Sequence, residues 1–146
     1  MLNLFSRIGL KFILAPVVAL MLAASSVSAQ SDEDAREIEE TIRSQILAMQ
    51  DDDWVQAFSY ASPMIQGMFR DAETFSRMVT TGYPMVWRPK RYDLGTLEMT
   101  ARGPVQTMFF EDQQGRLFIA DYYMQQVDGI WRINGVQIRP APQESV

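Results

Sequence analysis

Apolar and polar positions in this chain follow two different periods, and the change between them divides it. Ile38, Ile42, Ile46 and Met49 recur at spacings of four, four and three, one apolar stripe on an amphipathic helix ending near Gln50. Ahead of the stripe, Ser31-Asp32-Glu33-Asp34 places a capping residue and carboxylates where a helix start favours them. Asp51 to Asp53 restart the chain, and Trp54, Ala57, Phe58 and Ala61 form the buried side of a second, short helix. Ser62-Pro63 opens a third, with proline at the first turn and Met64, Ile65, Met68 and Phe69 as its apolar content. Asp71 caps a fourth, in which Phe75, Met78 and Val79 face inward and which Gly82-Tyr83-Pro84 stops.

From Met85 the period becomes strand-like. Val86-Trp87 precedes Arg88-Pro89-Lys90-Arg91, and Tyr92, Leu94, Leu97, Met99 and Ala101 predict an extended stretch with an irregularity at Gly95. Gly103-Pro104 is a turn, Val105 to Glu111 a strand, and Asp112 to Gly115 a second turn. Leu117 to Arg139 then reads as two long strands joined at Asp128-Gly129, a type I′ hairpin signal because both turn residues need positive φ. If Val127 pairs with Ile130, Gln126 faces Trp131, Met124 faces Ile133, Tyr122 faces Gly135 and Ala120 faces Gln137. Phe118, Ala120, Tyr122, Met124, Trp131 and Ile133 then share one face. Asp121, Tyr123, Gln125, Arg132 and Asn134 share the other, the alternation of a sheet covered on one side. Helices first and a four-strand antiparallel meander second predict an α+β fold, with N-terminal helices packed on a curved four-stranded sheet.

The first residues read differently. Arg7 and Lys11, an apolar run from Phe12 to Ala24, and the small residues Val27-Ser28-Ala29 match a secretory signal peptide over residues 1–29. The apolar run is shorter than the roughly 20 residues of a membrane span, and the domain is expected over residues 30–140, with a frayed tail at 141–146. Cleavage would leave no stable membrane anchor, and would place the domain in a periplasm or outside the cell. With Arg7 and Lys11 gone, eleven basic residues face eighteen acidic ones, a net charge of −7 that disfavours nucleic acid as a partner. There is no cysteine, so no disulfide, thiol nucleophile or thiolate metal site. There is no histidine either, which removes imidazole bases, Ser-His-Asp triads and histidine-based zinc or haem sites. No metal and no cofactor is expected.

A long first helix, short helices carrying WVQAFSYASP and a closing hairpin DGIWRINGV resemble the nuclear transport factor 2-like superfamily, which implies a cone-shaped, cystatin-like roll. More narrowly, FSYASPMIQGMF, MVTTGYPMVWRP and VDGIWRINGV are similar to a bacterial family of unknown function, number 4864. No activity comes with that family, and the superfamily hosts enzymes, binding modules and dimerisation modules alike.

Candidate residues follow from these placements. Tyr60, Tyr83, Trp87, Arg88 and Tyr122 are the ligand-pocket candidates, since aromatics combine apolar area with a polar tip. Trp131 is expected to plug the core against the first helix. The basic cluster at Arg88 to Arg91 is first of all protection of an exposed sheet edge, with Arg88 the exception that could hold an anionic group. Asp121, on the face opposite Tyr122, reads as a solvated or interface carboxylate, and Asp51 to Asp53 as capping residues rather than metal ligands. Most of the eight methionines between Met49 and Met124 are expected to fill the core.

Three readings of function stand at this point. A non-catalytic module binding a small molecule or a protein is favoured. A cofactor-free isomerase or dehydratase would instead need a buried carboxylate beside Tyr60, Tyr83 or Tyr122. A structural module would form a homodimer through Tyr123, Gln125, Arg132 and Asn134. No catalytic residue is assigned.

Overall fold

Four apolar side chains on one helical stripe, Ile38, Ile42, Ile46 and Met49, are all fully buried, and the remainder of the fold is arranged to cover them. The computed structural model describes residues 17–142. The leader expected over residues 1–29 lies largely outside the described residues, as do residues 143–146 of the tail. Helix α1 spans Val17–Gln50, so the chain does not enter its helix at Ser31 as expected. A capping residue acts only where the preceding backbone is non-helical. Here the residues before Ser31 are rich in alanine and leucine, good helix formers that carry the helix through. The chain separates into two compact units, Met1–Glu33 and Asp34–Val146. In the first, residues 17–33 are helical; the second contains everything described below. No helix among the described residues is long and apolar enough to cross a membrane.

Three short helices follow: α2, Trp54–Ser59; α3, Pro63–Phe69; and α4, Ala72–Gly82. Each begins at the capping residue its sequence predicts. Asp53 accepts the Gln56 N–H, Ser62 the Ile65 N–H and Asp71 the Thr74 N–H. Two details depart from expectation. Helix α3 buries none of its residues, and Met64 and Met68 are 55% and 64% exposed. Val86-Trp87, read as extended, belongs to a four-residue helix α5, Pro84–Trp87. Proline at its first position has the helical φ already set, and one turn is too short for a period to register in sequence.

The sheet is a meander in the order β1-β2-β3-β4: Arg91–Thr100, Gly103–Glu111, Leu117–Val127 and Ile130–Pro140. The fold is therefore the expected α+β arrangement of helices followed by an antiparallel sheet. Strand β1 is irregular at Gly95, as its sequence predicts: Leu94 pairs with Met108 and Leu97 with Gln106, so Gly95 and Thr96 together face Thr107. The buried Gln106 amide donates to Gly95 O and Thr96 O, both at 3.1 Å, and occupies the carbonyls that this bulge frees.

The terminal hairpin corrects the predicted register. Its turn is as expected, with φ of 51° at Asp128 and 78° at Gly129, and Val127 pairs with Ile130, Gln126 with Trp131 and Met124 with Ile133. Beyond Met124 the register shifts: Tyr123 pairs with Gly135, Tyr122 with Val136 rather than Gly135, and Ala120 with Ile138 rather than Gln137. Asn134 is the extra residue. The bulge lies in β4 alone, so the alternation of β3 is intact and Asp121 stays on the face opposite Tyr122. Trp131 is buried, as expected, with its indole N–H donating to Asp34 Oδ1 of α1 at 3.3 Å.

Candidate functional site

The inner face of the sheet carries Met108, Phe110, Ala120, Tyr122, Met124, Trp131 and Ile133, all buried. Against it pack Gln45 and Met49 from α1, and Phe75 and Val79 from α4. The short helices do not close over the last third of β4. Between them and the sheet lies a cavity of about 250 Å³. Its walls are Gln45 and Met49 of α1; Ile65, Met68 and Phe69 of α3; Phe75, Met78 and Val79 of α4; Tyr83 and Val86; Tyr122 of β3; and Ile133, Val136 and Ile138 of β4, with Ala61 and Gly135 completing them.

The bulge at Asn134 determines that wall. In an unbulged strand Gly135 and Gln137 would point inward; the extra residue turns Val136 and Ile138 inward instead. The same region is locked from outside. Ile133 donates its N–H to Tyr60 O at 2.9 Å and accepts the Ser62 N–H at 2.8 Å, a single parallel bridge across Ala61. Ser62 Oγ donates to Asn134 Oδ1 at 2.7 Å, and the Arg132 guanidinium donates to Ser59 O at 2.8 Å.

Polar groups in the wall are few. Gln45 Nε2 donates to Ala57 O at 3.2 Å, which ties α1 to α2. Tyr83 ends α4 and caps α5, and its side chain is partly exposed at the rim. Tyr122 is fully buried, and its hydroxyl has no hydrogen-bond partner. Burial raises its pKa far above that of an ordinary tyrosine, so it is a neutral hydroxyl at any physiological pH. No Asp, Glu, Lys or Arg lines the cavity. No cluster of acidic side chains among the described residues is arranged to hold a metal ion.

A family model matches residues 31–146, a span that takes in α1 from Ser31 onward, the short helices and the whole sheet just described. The chain belongs to the family described as a domain of unknown function, DUF4864. No curated protein and no solved structure matches it.

In this DUF4864 domain the five sequence-derived pocket candidates separate into two groups. Tyr83 and Tyr122 meet at the cavity. Tyr60, Trp87 and Arg88 do not line it. The Tyr60 hydroxyl accepts from Gln56 Nε2 at 2.9 Å. Trp87 and Arg88 converge on Asp52, which has a left-handed backbone with φ of 56°: the indole N–H donates to Oδ1 at 2.9 Å and the guanidinium to Oδ2 at 2.8 Å. The guanidinium also lies 4.5 Å from the centre of the Trp87 ring. Lys90, just ahead of edge strand β1, and Arg91, its first residue, pair with Glu111, whose carboxyl the Lys90 ammonium holds below its usual pKa.

The four interface candidates also differ. Gln125 is exposed, and the Tyr123 hydroxyl donates to Gln137 within the sheet at 2.8 Å. Arg132 and Asn134 hold the segment between α2 and α3 by the bonds given above. Asp121, on the outer face, accepts from Thr107 Oγ1 at 3.0 Å and from Arg139 at 3.3 Å. Gln45, Val136 and Ile138 are wall residues that sequence reasoning did not single out. Gln45 sits within the apolar stripe of α1, three residues after Ile42, a position where a polar residue signals an internal role.

Proposed function

We propose that this domain is a non-catalytic binding module that takes a small apolar molecule into the cavity between its helices and β4. The observation that carries this reading is the cavity itself: about 250 Å³, walled almost wholly by apolar side chains and free of charged ones. A dry apolar cavity of roughly 150 Å³ accepts benzene, whereas sites for drug-sized ligands run from about 300 Å³ upward. The occupant expected here is one substituted ring or a short branched chain.

An isomerase or dehydratase of the kind weighed from sequence would need a carboxylate beside the cavity tyrosines. Tyr83 and Tyr122 are there, but no carboxylate lines that cavity. Asp121 meets Tyr83 only in a second, adjoining pocket with Gln137 and Arg139, where it is already held by Thr107 and Arg139 and lies across the sheet from Tyr122. That disposition supports binding over acid–base chemistry. The nuclear transport factor 2-like resemblance is in keeping with the order of helices and strands, and we extend it to this family as a proposal. We also infer that residues 1–29 direct export, for which N-terminal sequencing of the exported protein should return Gln30 as first residue. A homodimer through the outer sheet face is the second reading, favoured by Phe109 and Leu117, 44% and 49% exposed on that face. Sedimentation of Phe109→Lys as a lighter species than the parent protein would support it.

Native mass spectra of the full chain, recorded under conditions that preserve non-covalent complexes, test the binding reading. A reproducible excess mass, lost on filling the cavity with Met78→Trp, is the expected result. A bare mass, together with methionine methyl resonances that benzene-sized probes leave unmoved, would reject it.

A further inference from the structure

A hydroxyl sealed in a protein interior without a partner is uncommon, because burial strips its water and nothing replaces it. Tyr122 is in that state. Its strand neighbours are Gln106 on β2 and Val136 on β4, and neither answers it: Gln106 spends its amide N–H groups on backbone carbonyls, and Val136 is apolar. An apolar residue of the same shape would fit the wall without this penalty, so the hydroxyl points to a partner that arrives with the ligand. Its oxygen is closed to solvent, so a ligand reaches it only if neighbouring wall side chains move, and the wall it shares with the flexible thioethers Met49 and Met78 is of the kind that can.

Resting on the binding reading above, we propose that the ligand is an uncharged, mainly apolar molecule carrying one oxygen acceptor, a ketone or ester carbonyl, which takes the hydrogen bond that the Tyr122 hydroxyl offers. The donor half of a hydroxyl is the part most costly to leave unmade, which selects an acceptor. Charge is excluded by the wall: a carboxylate or ammonium would enter with no counter-ion among the lining residues.

The test uses a matched pair of probes, acetophenone and α-methylstyrene, which have the same outline but differ in C=O against C=CH₂. Their affinities for the full chain and for Tyr122→Phe are measured from methionine methyl shifts. The ratio of the two affinities should move toward the hydrocarbon by roughly five- to tenfold on losing the hydroxyl. The carbonyl stretch of bound acetophenone should lie at lower frequency in the parent protein than in the variant. Both probes binding with an unchanged ratio and an unshifted stretch would overturn the acceptor proposal and leave the binding module standing. Neither probe binding up to millimolar concentration would overturn both.

Discussion

Ser62 Oγ and Asn134 Oδ1 lie 2.7 Å apart across 72 positions of sequence, and that bond joins the start of a helix to the bulge of a strand. The hydroxyl donates to the bulged residue and accepts the Ile65 N–H as cap of α3. Ser62→Ala removes both. We expect a loss of about 1–2 kcal/mol in urea unfolding, the upper part of the range for a lost cap because the half-buried Asn134 side-chain oxygen loses its donor as well. A change under 0.5 kcal/mol would show that the backbone bridge at Ile133 holds the segment unaided.

Gly95 marks the other bulge, and there is no room at it for a side chain. A Cβ would lie 2.9 Å from both Thr107 O and the Phe109 ring. The carbonyl belongs to the sheet backbone and cannot swing aside. Gly95→Ala should cost about 1–3 kcal/mol, the usual range for overpacking, despite alanine's lower entropy cost on folding. Gln106→Leu should be comparably destabilising, because the Gly95 and Thr96 carbonyls lose their shared donor. Thermal unfolding of both variants checks this, and an unchanged midpoint in either would remove the role given to the bulge.

Tyr122→Phe makes the opposite prediction. With no hydrogen bond to lose and a desolvated hydroxyl removed, the unliganded protein should gain about 1 kcal/mol. A loss of stability instead would mean that the hydroxyl has a partner in solution.

Acid should weaken the fold partly through Asp112, in the turn between β2 and β3. Burial pushes its carboxyl pKa up, but the Arg116 backbone N–H and guanidinium and the Gln114 N–H pull it further down, so the net value lies below the ordinary one. The Arg116 N–H and guanidinium approach it at 2.8 and 2.7 Å. A carboxyl whose folded pKa is depressed binds fewer protons folded than unfolded. Its contribution is complete above the unfolded value of about 3.9 and is lost as pH falls through the folded one. Glu111 and Asp71, also lowered, act with the same sign. Asp112→Asn should therefore have a lower urea midpoint than the parent at pH 6, and the gap should narrow toward pH 3. Parallel curves would remove this assignment.

Much of the fold was legible because it is set by local rules. The apolar stripe of α1, the caps at Asp53, Ser62 and Asp71, the Asp128-Gly129 turn and the Gly95 irregularity each depend on a few neighbouring residues and their backbone preferences. The site was less legible. A phase change is present in the sequence, since the apolar spacing from Trp131 to Ile133, Val136 and Ile138 runs two, three, two. An alternation counted from the hairpin turn passes over it.

The sequence by itself determined the α+β order, the starts of α2, α3 and α4, the hairpin turn and the absence of histidine and cysteine chemistry, all properties of residue type and near neighbours. Only the tertiary structure decided that Asn134 is extruded, that Val136 and Ile138 turn inward to wall a cavity, and that Tyr122 ends there without a partner. Those outcomes depend on Tyr60 and Ser62 reaching Ile133 and Asn134 from some seventy residues away, and no local preference encodes a contact made at that distance.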